Sequence, residues 1–191
     1  VSRIGDYTFS GCTSLQNINF PRSLGEATYA GNIGDRAFEN CTSLRRITVD
    51  PGVRHIGESA FEGCSSLQSI TIPDSVTSIG VLAFSFCFSL ESITIPDSVT
   101  FIGEDALYYC KSLESIIVSE KNQKYHSENN CLIETESKTL LLGCKNSIIP
   151  QDGSATKIGE EAFIGCTSLQ NITIPNSVIS IEYSAFSGCS S

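Results

Sequence analysis

The sequence predicts a repeat solenoid, a fold in which short structural units stack in one direction and share a continuous core. The first observation is a repeated stretch, since residues 79–101 repeat the sequence of residues 56–78 with few changes. The second is the spacing of the cysteines, because Cys41, Cys64 and Cys87 are each 23 residues apart. A fixed period of about 20 to 50 residues is typical of units that bury their apolar face only against their neighbours.

Each unit changes its apolar spacing partway along. In the unit 56–78, apolar residues recur every three or four positions from Ile56 to Leu67, which indicates one or two turns of helix. Ile70 and Ile72 then alternate with polar residues, which indicates a strand. We therefore expect a short helical turn followed by a short strand in every unit.

Turn-forming residues separate these elements. Gly57 can adopt a bent backbone before the turn, and an acidic residue such as Glu58 follows it. Negative charge at the N-terminus of a helical turn is stabilising, so these acids are interpreted as structural. Pro73 ends the strand because proline cannot donate a ladder hydrogen bond, and the Asp-Ser pair after it turns the chain.

Two departures interrupt the array. Residues 25–32 add a predicted loop with Tyr29 at its centre, either packed against the solenoid edge or exposed as a contact residue. Residues 119–156 are too long for one unit, and two apolar runs flank the polar letters ETESKT there, which predicts a β-hairpin within a modified repeat. Because the chain starts and stops within a repeat, residues 1–191 are interpreted as one solenoid taken from a longer protein.

The unit pattern C-x-x-L-x-x-I-x-I-P-x-S-V-x-x-I-G-x-x-A-F-x-x-C resembles the BspA-like class of bacterial leucine-rich repeats. The stretches that carry it are Cys12-Leu15-Ile18, Cys41-Leu44-Ile47-Val49, Cys64-Leu67-Ile70-Ile72, Cys87-Leu90-Ile93-Ile95, Cys110-Leu113-Ile116-Val118 and Cys166-Leu169-Ile172-Ile174. The resemblance implies a right-handed superhelical solenoid with a parallel β-sheet on its concave face and the short helical turns on its convex side. It also implies a surface-exposed or secreted protein used in adhesion.

The nine cysteines are an odd number for a disulfide framework. Because most of the thiols recur at one position of the repeat, they are interpreted as small, buried core residues. Cys131 and Cys144 are a separate case, since a hairpin turning near Ser137 and Lys138 would set them opposite one another. A one-residue change of register would separate them, so a disulfide and two core thiols both stay open.

Charge and motif content argue against several classes of function. Twelve basic against 21 acidic residues give a formal net charge of −9, which opposes binding to nucleic acid or to an anionic membrane. No apolar run reaches the roughly 20 residues that a membrane-spanning helix needs. His55 and His126 have no nucleophile or carboxylate at a catalytic spacing, and no hydrolase, phosphate-loop or zinc motif is present. We therefore expect no enzyme activity, no cofactor and no metal.

The outward positions of the strands remain as candidates for binding. If Ile70 and Ile72 point inward, Ser69 and Thr71 point to the concave side, and stacking turns such positions into columns. The candidate partner-binding residues are Arg45, Arg46, Ser69, Thr71, Glu91, Ser92, Thr94, Glu114, Ile117 and, in the predicted loop, Tyr29. The side chains in these columns are short, mostly uncharged and without aromatic anchors, so a purely structural interpretation of them stays open.

Charge is distributed unevenly along these columns. Arg45 and Arg46 form a basic pair at one end, and Glu91 and Glu114 lie towards the other. This uneven charge would orient a bound partner along the concave face.

The resemblance therefore predicts a non-catalytic cell-surface or secreted module that binds a protein, such as a host extracellular-matrix or cell-surface protein. The alternative is a structural spacer that displays another domain of the parent protein. An enzyme would require a convergent polar pocket, for which the best position is between the hairpin and the edge of the sheet.

Overall fold

The structure is a computed structural model that describes residues 3–18 and 31–190, and Tyr29 with most of its predicted loop lies outside these ranges. The described chain forms stacked coils, each built from short strands and hydrogen-bonded turns. The strands are β1 (Asn17–Ile18), β2 (Gly31–Ile33), β3 (Arg46–Thr48), β4 (Val53–Ile56), β5 (Ser69–Thr71), β6 (Ser78–Ile79), β7 (Ser92–Ile95), β8 (Phe101–Ile102), β9 (Ser115–Val118), β10 (Tyr125–Glu128), β11 (Cys131–Glu134), β12 (Thr139–Leu142), β13 (Lys157–Ile158) and β14 (Ser180–Ile181).

Two rows of parallel strands run along the stack. The first row holds β1, β3 and β5, followed by the pair β7 and β9. A hydrogen bond of 3.2 Å from the N–H of Glu91 to the carbonyl of Gln68 joins the two groups. The second row holds β2, β4, β6 and β8, and the sequence pattern did not predict it as a sheet. The described coils therefore form a β-solenoid with strands in two rows.

The core lies between the two rows and the turns. The phenylalanine of the repeat forms a stacked column, with ring centroids 5.2 Å apart between Phe38 and Phe61 and 5.4 Å apart between Phe61 and Phe84. The predicted inward positions of the repeat, such as Ile56 and Leu67, are almost completely buried. The predicted core of the standard unit is therefore confirmed.

The predicted helical turns are wrong. Among the described residues there is no helix, and so none long and apolar enough to cross a membrane. Ser59 and Gly63 have φ angles of 51° and 70°, left-handed values that stop a right-handed helix from propagating. The N–H groups of Ser59 and Phe61 donate instead to the carbonyls of Val81 and Ala83 in the next coil, each at 2.8 Å. Because these donors serve the neighbouring coil, they cannot form the bonds of an α-helix.

Close approach between coils requires the glycine that opens the turn at Gly34, Gly57, Gly80 and Gly103. A Cβ atom added to Gly80 would lie 2.6 Å from the carbonyl carbon of Gly57 and 2.7 Å from the nitrogen of Glu58. The acidic residue beside it also acts across coils, since a carboxylate oxygen of Asp35 accepts the N–H of Glu58 at 2.9 Å. These contacts replace the bent backbone and the helix N-terminus that the sequence predicts at these positions.

The repeated thiols are core groups that bond to the backbone. The Sγ atoms of Cys64 and Cys87 donate to the carbonyls of Phe38 and Phe61 at 3.1 and 3.3 Å. Burial raises the pKa of the Cys64 thiol far above its usual range, so this group stays protonated. All nine cysteines are free in the structure, including the buried Cys131 and Cys144.

The modified repeat contains the predicted hairpin and one further strand. Strands β11 and β12 pair antiparallel, which confirms the hairpin, and β10 adds a third strand that the sequence pattern did not reveal. Strand β12 then pairs in parallel with β13, with Leu140 opposite Ile158, and β13 pairs with β14. The hairpin is therefore built into the solenoid, because its last strand begins a further run of parallel strands.

Candidate functional site

The predicted partner-binding residues lie on the outer face of the first row of strands. Ser69 and Thr71 are exposed on either side of the buried Ile70. Arg46 of β3 lies in register with Ser69, and Thr94 of β7 lies in register with the exposed Ile117 of β9. The other described candidates, which are also exposed, are Arg45, Glu91, Ser92 and Glu114. We call this set of residues the outer face; its role in binding stays a prediction.

The charge pattern of the outer face differs from the one that the sequence predicts. The carboxylate of Glu114 forms an ion pair of 2.6 Å with the ammonium of Lys145, and the side-chain amide of Asn146 donates to the Glu114 carbonyl at 3.4 Å. The modified repeat thus reaches the rim of this face. No repeat register relates Lys145 to Glu114, so the sequence pattern could not reveal this contact. Because Glu114 is paired with Lys145, the negative charge at this end of the outer face comes mainly from Glu91.

A histidine and a serine meet on the second row of strands. The Nδ1 atom of His55 lies 2.7 Å from the hydroxyl of Ser78, and both side chains are at the surface. A serine nucleophile needs a histidine that a third group orients. Within the described part of the chain the His55 ring makes no other hydrogen bond, so the pair lacks that third group.

The modified repeat has a shortened turn. The carbonyl of Leu140 accepts the N–H of Gly159, as the isoleucine position does in a standard coil. The N–H of Gly143 donates to the carbonyl of Ala162 at 2.7 Å. In standard coils the N–H of the core phenylalanine makes this bond. The step between these two positions is three residues here and five from Ile56 to Phe61. This turn is therefore two residues shorter than in a standard coil, and Gly143 occupies the position at which other coils have a large side chain.

The shortened turn leaves a groove of about 540 Å³ between turn 103–108 and turn 159–164. Its apolar lining includes Leu107, Leu132, Leu141, Leu142 and Ile164. Its acidic residues are Glu104, Asp105, Glu160, Glu161 and Glu182, against the one lysine Lys157. Across the residues that the structure describes, no cluster of three or more acidic, cysteine or histidine side chains is suited to a metal ion. The groove is thus an apolar cleft with an acidic rim.

Two carboxyl groups approach each other in this groove. Burial raises the pKa of Asp105, and the carboxylates of Glu104 and Glu160 add to the effect. Burial also raises the pKa of Glu161, followed by the charge of Asp105, with which it lies within hydrogen-bonding reach. Both pKa values rise because two negative charges in a partly desolvated cleft disfavour ionisation.

We expect Asp105→Asn to raise the melting temperature near pH 7 and to lose this advantage in acid. Since the folded-state pKa of Asp105 lies above its ordinary value of about 3.9, the folded protein binds more protons than the unfolded chain in the window between the two values. Stability of the unsubstituted protein therefore falls as the pH rises through that window. Melting temperatures measured in buffers from acid to neutral pH test this expectation.

A matched control for this prediction is Asp97→Asn, which alters an exposed carboxylate outside the groove. Asparagine and aspartate both tolerate the left-handed backbone found at Asp105, so the change with pH, and not the absolute melting temperature, is the readout. A difference in melting temperature that is the same at every pH would contradict the proposed repulsion.

An aromatic cluster adjoins the groove at Tyr108. The ring of Tyr108, which lines the groove, contacts Phe86 edge-on at 5.4 Å and Tyr109 at 4.8 Å between centroids. The ammonium of Lys111 lies 5.1 Å from the Tyr109 ring and 5.3 Å from the exposed Phe88 ring. The rings of Tyr109 and Phe88 thus already attract one cation.

Stacked parallel strands in coils of 23 residues, with an outer face free for contact, define a leucine-rich-repeat solenoid. The chain belongs to the BspA-type leucine-rich-repeat family. The family's sequence profile, described as "BspA type Leucine rich repeat region", matches in six copies over residues 1–31, 31–152 and 140–191. No curated protein sequence matches the chain. Repeat folds of this kind commonly provide extended surfaces for protein interaction.

Several bacterial solved structures have the same fold. A leucine-rich cell surface protein from Faecalibacterium prausnitzii is 27% identical, with a TM-score of 0.71 over 97% of this chain and 55% of that chain. A leucine-rich repeat protein of T. pallidum is 29% identical, with a TM-score of 0.63 over 100% of this chain and 71% of that one. The pneumococcal vaccine antigen PcpA, at 21% identity, has a TM-score of 0.79 over 99% of this chain and 46% of that one. The chain thus spans about half the length of the first and last of these three.

Proposed function

We propose that the chain is a non-catalytic protein-binding module that acts in adhesion at the cell surface or outside the cell. The observation that supports it most directly is the outer face, a set of exposed side chains carried on paired strands above a buried core. Membership of a repeat family whose solenoids present extended surfaces supports the same function. The similarity to a structure described as a cell surface protein supports the location.

The chemistry of the outer face favours a protein partner over a polyanion. Arg45 and Arg46 can contact carboxylates with two hydrogen bonds each, and arginine is common among the residues that dominate protein interfaces. The exposed Ile117, with 49% of its surface accessible, adds an apolar contact farther along. Glu91 lies between them, so a partner with acidic groups at one end, a basic group in the middle and an apolar group at the other end would match the face.

Binding of the full chain to a panel of host extracellular-matrix and cell-surface proteins tests this function. We expect at least one member to bind, and the triple substitution Arg45→Ala, Arg46→Ala and Glu91→Ala to weaken that binding by about tenfold or more, since charged contacts at interfaces typically contribute this much. Surface plasmon resonance measures the dissociation constants, and a thermal melt confirms that the variant is folded.

The matched control replaces Arg54, Lys121 and Glu120, which are exposed away from the outer face and change the net charge equally. It should bind as the unsubstituted chain does. If no protein of the panel binds, the module is a spacer that holds another domain of its parent protein. If the triple variant and the control bind alike, the outer face is not the contact surface.

A further inference from the structure

We propose that the groove beside the modified repeat is a second binding site, which accepts an extended peptide segment that carries lysine or arginine from a partner protein. This site is separate from the outer face, because it lies between two turns and at the break in the second row of strands. The two turns that form its walls present unpaired backbone groups, its lining is apolar and its rim is acidic.

One wall presents backbone donors and the other presents backbone acceptors. In standard coils the turn donates N–H groups at alternate positions to carbonyls of the next turn. Asp105 and Leu107 hold two of these donor positions, yet within the described residues their N–H groups donate no hydrogen bond. Glu160 and Ile164 hold acceptor positions across the groove, and no described group donates to their carbonyls. The N–H of Gly143 donates to the acceptor between these two, the carbonyl of Ala162.

An extended peptide presents backbone groups to both walls. On one edge these groups belong to alternate residues, as do the unpaired N–H groups of Asp105 and Leu107, while the unpaired carbonyls of Glu160 and Ile164 lie on either side of the paired Ala162. A segment lying between the walls could accept from Asp105 and Leu107 on one edge and donate to the opposite wall on the other. Addition of a peptide to unpaired backbone groups is a common mode of recognition. The volume of about 540 Å³ is ample for several side chains.

The rim selects the charge of the segment. Four carboxyl groups, from Glu104, Asp105, Glu160 and Glu161, converge on the cleft. A lysine or arginine can place its aliphatic stem on the apolar lining and its charged end among these carboxylates. Tyr108, whose aromatic ring also lines the groove, offers a further contact for a cation. An acidic segment would meet like charges at this rim.

The test uses a fluorescein-labelled, capped peptide of seven residues in which valine and lysine alternate, titrated with the full chain and followed by fluorescence anisotropy. We expect saturable binding. A peptide with glutamate in place of lysine should bind at least about tenfold more weakly, because like charges repel. A lysine peptide with methylated nitrogens at alternate positions should also bind at least about tenfold more weakly, because it lacks the donors for one wall.

The paired variant Asp105→Asn and Glu161→Gln should weaken binding of the lysine peptide by about tenfold or more, through loss of charge-assisted contacts. The matched control Asp97→Asn and Glu120→Gln should leave it unchanged, as should Arg45→Ala with Arg46→Ala, which separates this site from the outer face. Equal binding by the methylated peptide, or by the paired variant, would overturn the proposal. Tighter binding of a glucosamine oligomer than of the peptide, lost in the paired variant, would assign the groove to a polysaccharide and would also overturn it.

Discussion

Replacing Phe84 by alanine should lower the free energy of unfolding by about 3 to 5 kcal/mol, the cost of removing a buried aromatic ring and leaving a cavity. The side chain is completely buried and stacks on Phe61 with ring planes 2° apart. It occupies the middle of a coil with neighbours on both sides, so the space that it leaves cannot open to solvent. Urea denaturation followed by circular dichroism measures the effect.

The control for this substitution is Phe101→Ala, since Phe101 is 53% exposed on the second row of strands. Its loss should cost much less, within about 1 kcal/mol. Hydrogen exchange in the Phe84 variant should be fastest in the coils that flank it, because each unit of a solenoid contacts only its neighbours. An unchanged unfolding midpoint for Phe84→Ala would show that the ring does not belong to the core.

Replacing Gly80 by alanine should destabilise the protein by about 1 to 3 kcal/mol or more, as expected when an atom is forced into filled space. The added Cβ would overlap backbone atoms of the preceding coil, 2.6 Å from the carbonyl carbon of Gly57 and 2.7 Å from the nitrogen of Glu58. Backbone atoms cannot move aside as a flexible side chain can, so the two coils must separate. Chemical denaturation again measures the loss.

Gly5→Ala is the matched control, because Gly5 holds the same position of the repeat. Among the described residues, a Cβ atom there would meet only the hydroxyl of Thr8, at 3.4 Å. Alanine also has less freedom than glycine in the unfolded chain, so this substitution should be neutral or stabilise the protein by up to about 1 kcal/mol. If both substitutions have the same effect, close approach between coils is not the reason for glycine at this position.

The inward positions were predictable because the repeat aligns them. Phe61, Phe84 and their partners recur at one register, and residues that recur at one register of a solenoid stack on one another. The turns were not predictable in the same way. Apolar spacing of three and four residues fits a helix, but it also fits turns closed by bonds such as that from Ala60 to Gly57, three residues back. The left-handed φ angle of Ser59 and its bond to the next coil distinguish the two, and neither can be read from apolar spacing.

The groove could not be predicted in detail, although a pocket near the hairpin was the position that an enzyme would have required. Its cause is the short step from Leu140 to Gly143, and a repeat pattern offers no alignment where residues are missing. The pairing of Lys145 with Glu114 has the same origin. The core positions of regular repeats can therefore be predicted from the sequence. The contacts of an irregular repeat can be identified only from the three-dimensional structure.

The bonds between turns give the stack an electrical direction. A chain of peptide units runs along the axis, in which Ser59 donates to the carbonyl of Val81 and the next nitrogen, of Leu82, donates to Glu104 at 3.0 Å. Every peptide dipole in this chain points the same way, as in an α-helix, and aligned hydrogen bonds polarise one another. The positive end of the chain is the N–H of Asp105. The described residues contain no helix, yet the solenoid has a helix-like dipole whose positive end lies in the groove, where it would attract a carbonyl group.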